Sequence, residues 1–198
     1  MDFPKWMKIS FMAVGALWTL QIAYFLRVCG KRPDPAFQPD LVVVYGGEIP
    51  SSRFGLDLAK TLGCPIYISE ATWKLVPFKT EITVMGNSAT IDPRALTTDQ
   101  NARYAALFIR QGGYKRVALV CAWHHEPRAL FLTRLYLLGS GVRVEPYPNE
   151  PSPAFYWARE LFWLQWVKLW GSLARVALEW VGVRDWPAPQ LIRTEPDE

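Results

Sequence analysis

The feature that most constrains this chain is an uncharged apolar stretch near its beginning. Residues 9–26 contain no charged side chain, and Lys8 and Arg27 stand at the two ends of the stretch. As a helix, the stretch would be about 27 Å long, close to the ~30 Å hydrocarbon core of a bilayer. The flanking charges can reach the headgroups while their stems remain in lipid. The pattern predicts a transmembrane anchor at residues 9–26, preceded by a short flank at residues 1–8.

Two other interpretations of this stretch remain open. A cleaved signal peptide would need small residues at a cleavage site, and the residues after Leu26 do not provide them. A core helix of a soluble domain could be equally apolar. The basic residues on the two sides nearly balance, so the positive-inside rule does not give the orientation.

The rest of the chain has the pattern of an α/β domain. Residues 27–40 are rich in proline and predict an extended linker. Short apolar runs predict strands at residues 41–45, 65–69, 81–85, 116–122 and 142–146, and helical patterns lie at residues 51–62, 99–110 and 127–138. Alternating elements of this kind predict a Rossmann-like, doubly wound, mainly parallel five-stranded sheet. With the strand order 3-2-1-4-5, strands one and four are neighbours.

The C-terminal part of this domain, which spans residues 41–183, is rich in tryptophan. Residues 154–183 predict a helical stretch, with a possible break at Gly171. On a helical wheel, one arc is polar and includes Gln165, Lys168 and Arg175, and the other carries Trp163, Trp166 and further aromatic residues. Two interpretations fit: a helix pair packed on the sheet, or an interfacial helix with its tryptophans in the headgroup layer. Residues 184–198 have the composition of a disordered tail.

Composition excludes several classes of partner and site. The chain has 22 basic and 18 acidic residues and no run of lysine or arginine, which argues against nucleic acid as a partner. Its three cysteines, Cys29, Cys64 and Cys121, are too scattered for a disulfide framework or a zinc site. We therefore predict no metal site, and nothing in the sequence identifies a cofactor.

The strongest chemical signal lies just past the predicted fourth strand, in the sequence HHEPR. It contains the only two histidines of the chain, and Pro127 fits the first turn of a helix. His125 and Arg128 are three residues apart, so both can face one side of that turn. Free backbone N–H groups, an imidazole and a guanidinium together suit a phosphate or carboxylate. The alternative is a structural turn without a ligand.

Two weaker clusters complete the candidate site. Gly46 and Gly47 follow the first strand, where they can let an anion approach the backbone, and Arg53 comes soon after. Asp92 precedes a helix start at which Thr97 and Gln100 fit a capping box; Thr98 and Asn101 then remain for a ligand. The glycines do not form the dinucleotide fingerprint, so an NAD site is rejected.

Because ligands bind at the carboxyl ends of strands in such sheets, these clusters are expected to share one crevice. We expect His125 to act as hydrogen-bond donor or general acid–base, with an ordinary pKa near ~6.5. Asp92, the second expected catalytic residue, and Asn101 would orient the histidine or the ligand. The expected ligand-binding residues are Gly46, Gly47, Arg53, Thr98, Asn101 and Arg128.

The order of these motifs resembles the ElyC/SanA/YdcF family of bacterial envelope-associated proteins. Glycines with a following arginine, an acidic residue before a helix start of the T-x-E-N type, and a strand ending in H-x-P-R-A form the family pattern. Here they read Gly46, Gly47 and Arg53; Asp92, Thr98 and Asn101; and His125, Pro127, Arg128 and Ala129. Gln100 replaces the usual glutamate, and no helix is predicted before the third strand.

The resemblance implies a membrane-anchored envelope factor in the bacterial inner membrane, with one spanning helix and the domain on the outer, periplasmic face. Its expected partners are the lipid bilayer and an anionic small molecule or lipid-linked phosphate, in cell-wall precursor metabolism. Two other functions remain open: a nucleotide-type ligand binder, for example of S-adenosylmethionine, and a non-catalytic membrane scaffold.

Overall fold

The computed structural model describes residues 4–29, 33–46, 49–69, 79–85, 88–149 and 160–182. Its elements, in chain order, are α1 (Lys5–Val28), β1 (Leu41–Tyr45), α2 (Ile49–Leu62), β2 (Ile66–Ser69), α3 (Lys79–Met85), β3 (Ala89–Ile91), α4 (Thr98–Gln111), β4 (Arg116–Cys121), α5 (Glu126–Tyr136), β5 (Arg143–Pro148) and α6 (Glu160–Trp180). Gly47, residues 30–32 and the predicted tail lie outside the described residues.

The five strands form one sheet in the order β3-β2-β1-β4-β5, and every neighbouring pair is parallel. This confirms the predicted α/β class and the predicted strand order. Central β1 is buried on both faces, which explains its continuous apolar sequence. Leu41, Val43 and Tyr45 face the helices α1, α4, α5 and α6, whereas Val42 and Val44 face α2 and α3.

The predicted third strand at residues 81–85 is wrong, because those residues form part of α3. The strand that extends the sheet is β3, whose Ala89 pairs with Ile66 of β2. Neighbouring parallel strands need a crossover connection, and α3 belongs to that connection between β2 and β3. Topology therefore overrides the β-branched composition of Ile82, Thr83 and Val84. The same helix corrects the expectation that no helix precedes the third strand.

The C-terminal helical stretch is one continuous helix in its described part. α6 runs from Glu160 to Trp180 without a break at Gly171, so the predicted helix pair is wrong. Gln165 and Ser172, from the polar arc, are buried against the domain. Trp163 from the apolar arc is exposed, while Trp166 is buried. The helix thus packs on the domain partly through its polar side.

Helix α1 is the one described helix that is long and apolar enough to cross a membrane. Most of its length is exposed, but its C-terminal turns join the core of the domain. Phe25 is fully buried, Val28 is buried, and the Tyr24 ring packs edge-on against Phe131 of α5 with centroids 5.6 Å apart. The apolar helix is therefore attached to the domain by direct packing as well as by the chain.

The described part of the predicted linker, residues 33–40, also lies against the domain. Phe37 is buried beneath the Arg143 guanidinium, which sits 5.0 Å from the ring centroid. Asp34 pairs with the same arginine at 3.2 Å. Asp40 accepts hydrogen bonds from the backbone N–H groups of Lys115 and Arg116 before β4. These contacts hold the entry to β1 in place.

Gly55 provides a test of how α2 packs on the sheet. A Cβ atom at this position would overlap Cγ2 of Val44, a stiff β-branched side chain in the core. We expect Gly55→Ala to destabilise the domain by about 1–3 kcal/mol, the usual range for overpacking. The matched control is Gly171→Ala in α6, where a Cβ has open space and the helix should gain up to ~1 kcal/mol. Thermal unfolding in detergent measures both; equal melting temperatures would contradict the close approach.

Candidate functional site

The carboxyl ends of β1 and β4 lie side by side, which brings two of the predicted clusters to one edge of the sheet. Val44 pairs with Val120, and Gly46 and Ala122 follow two residues later on their strands. The His125 N–H donates to the Ala122 carbonyl at 2.9 Å, so the first turn of α5 begins directly above this edge. Neighbouring strands are ~4.8 Å apart. Gly46 and the HHEPR segment are therefore close neighbours.

The Gly46 amide, however, is already used by the sheet. Its N–H donates to the Ser69 carbonyl at 3.0 Å and so extends the β1–β2 ladder by one bond. An anion would have to break that bond to bind this amide. Gly47 lies outside the described residues. The expectation that the Gly46 amide helps to hold an anion is not supported by this geometry.

The first turn of α5 carries the most unusual side chains of the site. Helix α5 starts at Glu126, one residue earlier than predicted, with His125 at the N-cap position. Arg128 is 8% exposed, and its Nε has no hydrogen-bond partner among the described residues. His125 is half-buried, and its Nδ1 likewise lacks a partner within the described ranges. Both side chains thus keep hydrogen-bonding capacity at the edge of the sheet.

The electrostatic state of this turn follows from its burial. Burial, with smaller contributions from His124 and Arg128, lowers the pKa of His125 to about 4. The imidazole is therefore neutral at pH 7. This differs from the ordinary pKa expected from the sequence, and it suits an acceptor or base better than an acid. Burial lowers the pKa of Arg128 to about 10, which leaves the guanidinium charged at neutral pH.

The hydrogen bonds of Asp92 in the described structure are made with its neighbours Arg94 and Tyr67. Its carboxylate accepts hydrogen bonds from Tyr67 Oη at 2.7 Å and from Arg94 Nε at 2.8 Å, and Arg94 also forms an ion pair with it. The Arg94 side chain, followed by Tyr67, lowers the pKa of Asp92 to about 2 despite burial. In the described structure, Asp92 therefore ties the segment after β3 to β2, and these contacts do not orient His125.

The start of α4 combines a cap with one polar bridge to the sheet. The Thr97 side chain accepts from the Gln100 N–H at 3.4 Å, as the capping pattern predicts, while Gln100 Oε1 accepts from the Leu96 N–H at 2.8 Å. Asn101 Oδ1 accepts from Ser69 Oγ at 2.8 Å, which links α4 to the carboxyl end of β2. Thr98 is half-buried in the first turn of α4.

The remaining predicted residue, Arg53, lies on the outer side of α2 and is exposed. The buried residues of the first turn of α2 are instead Ser51 and Ser52, next to the end of β1. Both serines were visible in the sequence, but their burial was not. In the described part of the chain, no group of three or more His, Cys, Asp or Glu residues is arranged for a metal ion.

An ion pair between α6 and α4 was also missed. Arg175 Nη1 donates to Thr97 Oγ1 and to Asp99 Oδ1, both at 3.2 Å, and Asp99 is almost fully buried. Arg175 could be identified in the sequence only as a member of the polar arc of the last helix. Which carboxylate it meets depends on the tertiary arrangement.

Glu126 is the other buried residue that sequence reasoning passed over. It is fully buried, and neither carboxylate oxygen has a hydrogen-bond partner among the described residues. Burial raises its pKa to about 8, so the carboxyl is largely protonated at pH 7. The adjacency of Glu126 to His125 was visible in the sequence, but its burial was not.

The chain was compared with known proteins. No protein-family model matches it, and no curated protein matches it either. The ElyC/SanA/YdcF resemblance therefore remains an expectation that rests on the motifs.

The raised pKa of Glu126 generates a pH-dependent stability prediction. The folded chain holds this proton up to about pH 8, whereas the unfolded chain releases it near ~4.3. The contribution of Glu126 to stability is thus fully present below pH ~4.3 and is lost progressively as pH rises to 8. Glu126→Gln removes this loss. Its gain over the unaltered chain should be small at pH 4.5 and reach the order of a few kcal/mol at pH 8.

Chemical denaturation in detergent at several pH values measures this difference. The quantity to compare is the difference in unfolding free energy between the Glu126→Gln variant and the unaltered chain. This difference is needed because the lowered pKa of His125 makes stability rise with pH between about pH 4 and 6.5, opposite to the effect of Glu126. Asp57→Asn, at an exposed position on α2, is the matched control and should give no pH-dependent gain. A gain for Glu126→Gln that does not change with pH would contradict the assignment.

Proposed function

We propose that this protein is a membrane-anchored envelope factor of the ElyC/SanA/YdcF type, whose crevice at the β1–β4 edge binds the anionic group of a phosphorylated cell-wall or envelope precursor. α1 would hold it in the bacterial inner membrane, with the α/β domain on the outer face. The ligand would be a lipid-linked phosphate or a phosphorylated sugar. The resemblance of the motifs and the apolar α1 support this proposal.

The observation that carries the anion-binding part is the buried charge of Arg128. Burying a guanidinium is costly unless negative charge or hydrogen bonds compensate for it. Asp99 attracts Arg128 electrostatically, but its two oxygens lie 3.2 and 3.3 Å from Arg175 Nη1. Arg128 thus keeps an unengaged Nε at the carboxyl edge of the sheet. A phosphate would supply the missing charge and acceptors in a geometry that the guanidinium fork matches.

The neighbouring groups suit the same ligand. The imidazole of His125, neutral at pH 7, can accept a hydrogen bond or a proton from a hydroxyl or a monoprotonated phosphate. Asn101 already accepts from Ser69 through Oδ1, so its amide N–H₂ group remains the donor end of that side chain. Gly46 would contribute space rather than its N–H, because the sheet uses that donor.

Membrane anchoring is tested by fractionation. We expect the full chain to remain in the pellet when membranes are washed with alkaline carbonate, because α1 is long and apolar enough to span the bilayer. Quantitative release into the supernatant would contradict the anchor. The same wash applied to a chain carrying Leu17→Lys and Leu20→Lys is the control, because two charges inside the helix should weaken its retention.

Anion binding is tested with the detergent-solubilised full chain and defined probes: inorganic phosphate, a sugar phosphate, a nucleotide and an isoprenyl phosphate. Arg128→Ala should weaken binding of the preferred phosphate about ten- to hundred-fold, since a charge-assisted bond to a buried group is worth about 1.5–3 kcal/mol. Arg128→Lys should recover only part of this affinity, because it keeps the charge without the fork. Calorimetry measures each binding constant.

The control is Arg103→Ala, which removes an exposed arginine from α4 and should leave the affinity unchanged. A preference for the nucleotide would favour the nucleotide-type function, and a preference for the isoprenyl phosphate would favour a lipid carrier. Equal binding by the Arg128→Ala variant and the unaltered chain would contradict the proposed site.

A further inference from the structure

The outward face of α6 is unusual for a helix on the surface of a soluble domain. Trp163, Leu164 and Val167 are 46%, 45% and 58% exposed. The polar residues Gln165 and Ser172, in contrast, are 2% and 5% exposed. A surface helix in water normally turns its apolar residues inward and its polar residues outward. At these five positions of α6 the arrangement is the opposite, although Trp166 and Leu169 are buried as usual.

This orientation is fixed by specific contacts. Arg175 reaches inward to Asp99 and Thr97 at the start of α4. Trp166, Leu169 and Val176 are buried in the core cluster that also contains residues of α1, α4 and α5. α6 therefore cannot rotate its apolar residues inward without breaking a largely buried ion pair and removing three side chains from the core.

The exposed face of α6 is continuous with the lipid-facing surface of α1. The rings of Trp18 and Trp166 meet edge-on with centroids 4.7 Å apart, and Trp163 lies 6.1 Å from Trp166. Trp18 itself is 47% exposed, as expected for a side chain that also faces lipid. Trp18 lies in the uncharged stretch, near the domain end of the exposed part of α1, so in a helix that spans the bilayer it lies in the hydrocarbon region on the side of the domain. Trp166, which contacts it, must then lie at a similar depth.

The length of α1 is a second, independent indication that α6 lies in the bilayer. The apolar side chains from Trp6 to Leu20 are largely exposed, whereas beyond Leu20 one side of the helix stays exposed, with Leu26 at 44%, and the other side, with Phe25 and Val28, is enclosed by the domain. The part before the domain begins to enclose the helix is about 22 Å long, which is shorter than the ~30 Å hydrocarbon core. The remaining thickness must be matched by the surface of the domain beside the end of α1. α6 supplies an apolar face at that position.

We propose that the first half of α6 is immersed in the leaflet next to the domain, with Trp163, Leu164 and Val167 in contact with acyl chains. The domain is thus seated in the membrane rather than suspended above it by a linker. Lys168 is exposed on the same half-helix, and its flexible stem lets the ammonium group reach the headgroups. This inference rests on the proposed anchoring by α1.

The test uses the full chain in lipid nanodiscs, with a bimane label on a single introduced cysteine and lipids that carry doxyl quenchers on their acyl chains. Leu164→Cys and Val167→Cys are the two test positions. Met12→Cys, on the exposed side of α1, reports insertion of the anchor, and Leu138→Cys, exposed after α5, reports the part of the domain in water. The three native cysteines are buried, so the labelled unaltered chain gives the background.

We expect doxyl lipids to quench the labels at positions 164 and 167 several-fold more strongly than the label at 138, and about as strongly as the label at 12. Quenching at 12 but not at 164 or 167 would overturn the immersion of α6 and leave the anchor intact. Efficient disulfide cross-linking between Val167→Cys chains without quenching would show that a second copy covers this face. Absence of quenching at all positions would overturn the anchor and the immersion together.

Discussion

The ion pair between Arg175 and Asp99 determines how the last helix lies on the domain. Asp99 is almost fully buried in the first turn of α4, and Arg175 is the cation that meets it. Removing one partner from such a pair leaves an uncompensated charge in the interior, which is strongly destabilising. α6 must therefore present its polar arc to the domain. The position of Gln165 beside His125 and the outward direction of Trp163 both follow from this one constraint.

The same pair also shapes the electrostatics of the candidate site. Arg128 and Arg175 both lie within reach of Asp99, and the hydrogen bonds of Asp99 go to Arg175. After β3, the charge of Asp92 is matched by Arg94, with Tyr67 as an additional donor. Asp92 and Asp99 are thus already paired, whereas the Nε of Arg128 has no hydrogen-bond partner among the described residues. The local field favours an anion for this reason, not because of the small net charge of the chain.

Sequence reasoning succeeded where each strand is buried on both faces. The short, continuous apolar runs of β1 and β4 are typical of strands in a parallel sheet, and the strand order, which was assumed from the doubly wound class, is the one observed. It failed at residues 81–85, where β-branched side chains are compatible with a strand locally but the crossover to β3 requires a helix. The pairing of Asp92 with Arg94 across a tight turn was not anticipated from the sequence. The burial of Glu126 and the inward polar arc of α6 depend on contacts between helices that are distant in sequence. The residue pattern of one helix does not reveal such contacts.

The first turn of α5 lies between the end of α1 and the helices α4 and α6. On one side, Glu126 lies near Tyr24 and Cys29 at the end of α1, as their electrostatic interactions indicate. On the other side, His125 faces Gln165 of α6, and Arg128 faces α4. The polar side chains of the candidate site therefore lie next to the point where the apolar helix meets the domain. Because Gln165 is followed by Trp166, which contacts Trp18, the candidate site lies close to the part of the structure that we infer to be in the bilayer. With α6 immersed as we propose, a phosphate on a lipid chain would approach Arg128 while its tail remains among acyl chains. This proximity to the membrane is the reason that we propose a lipid-linked phosphate as the ligand.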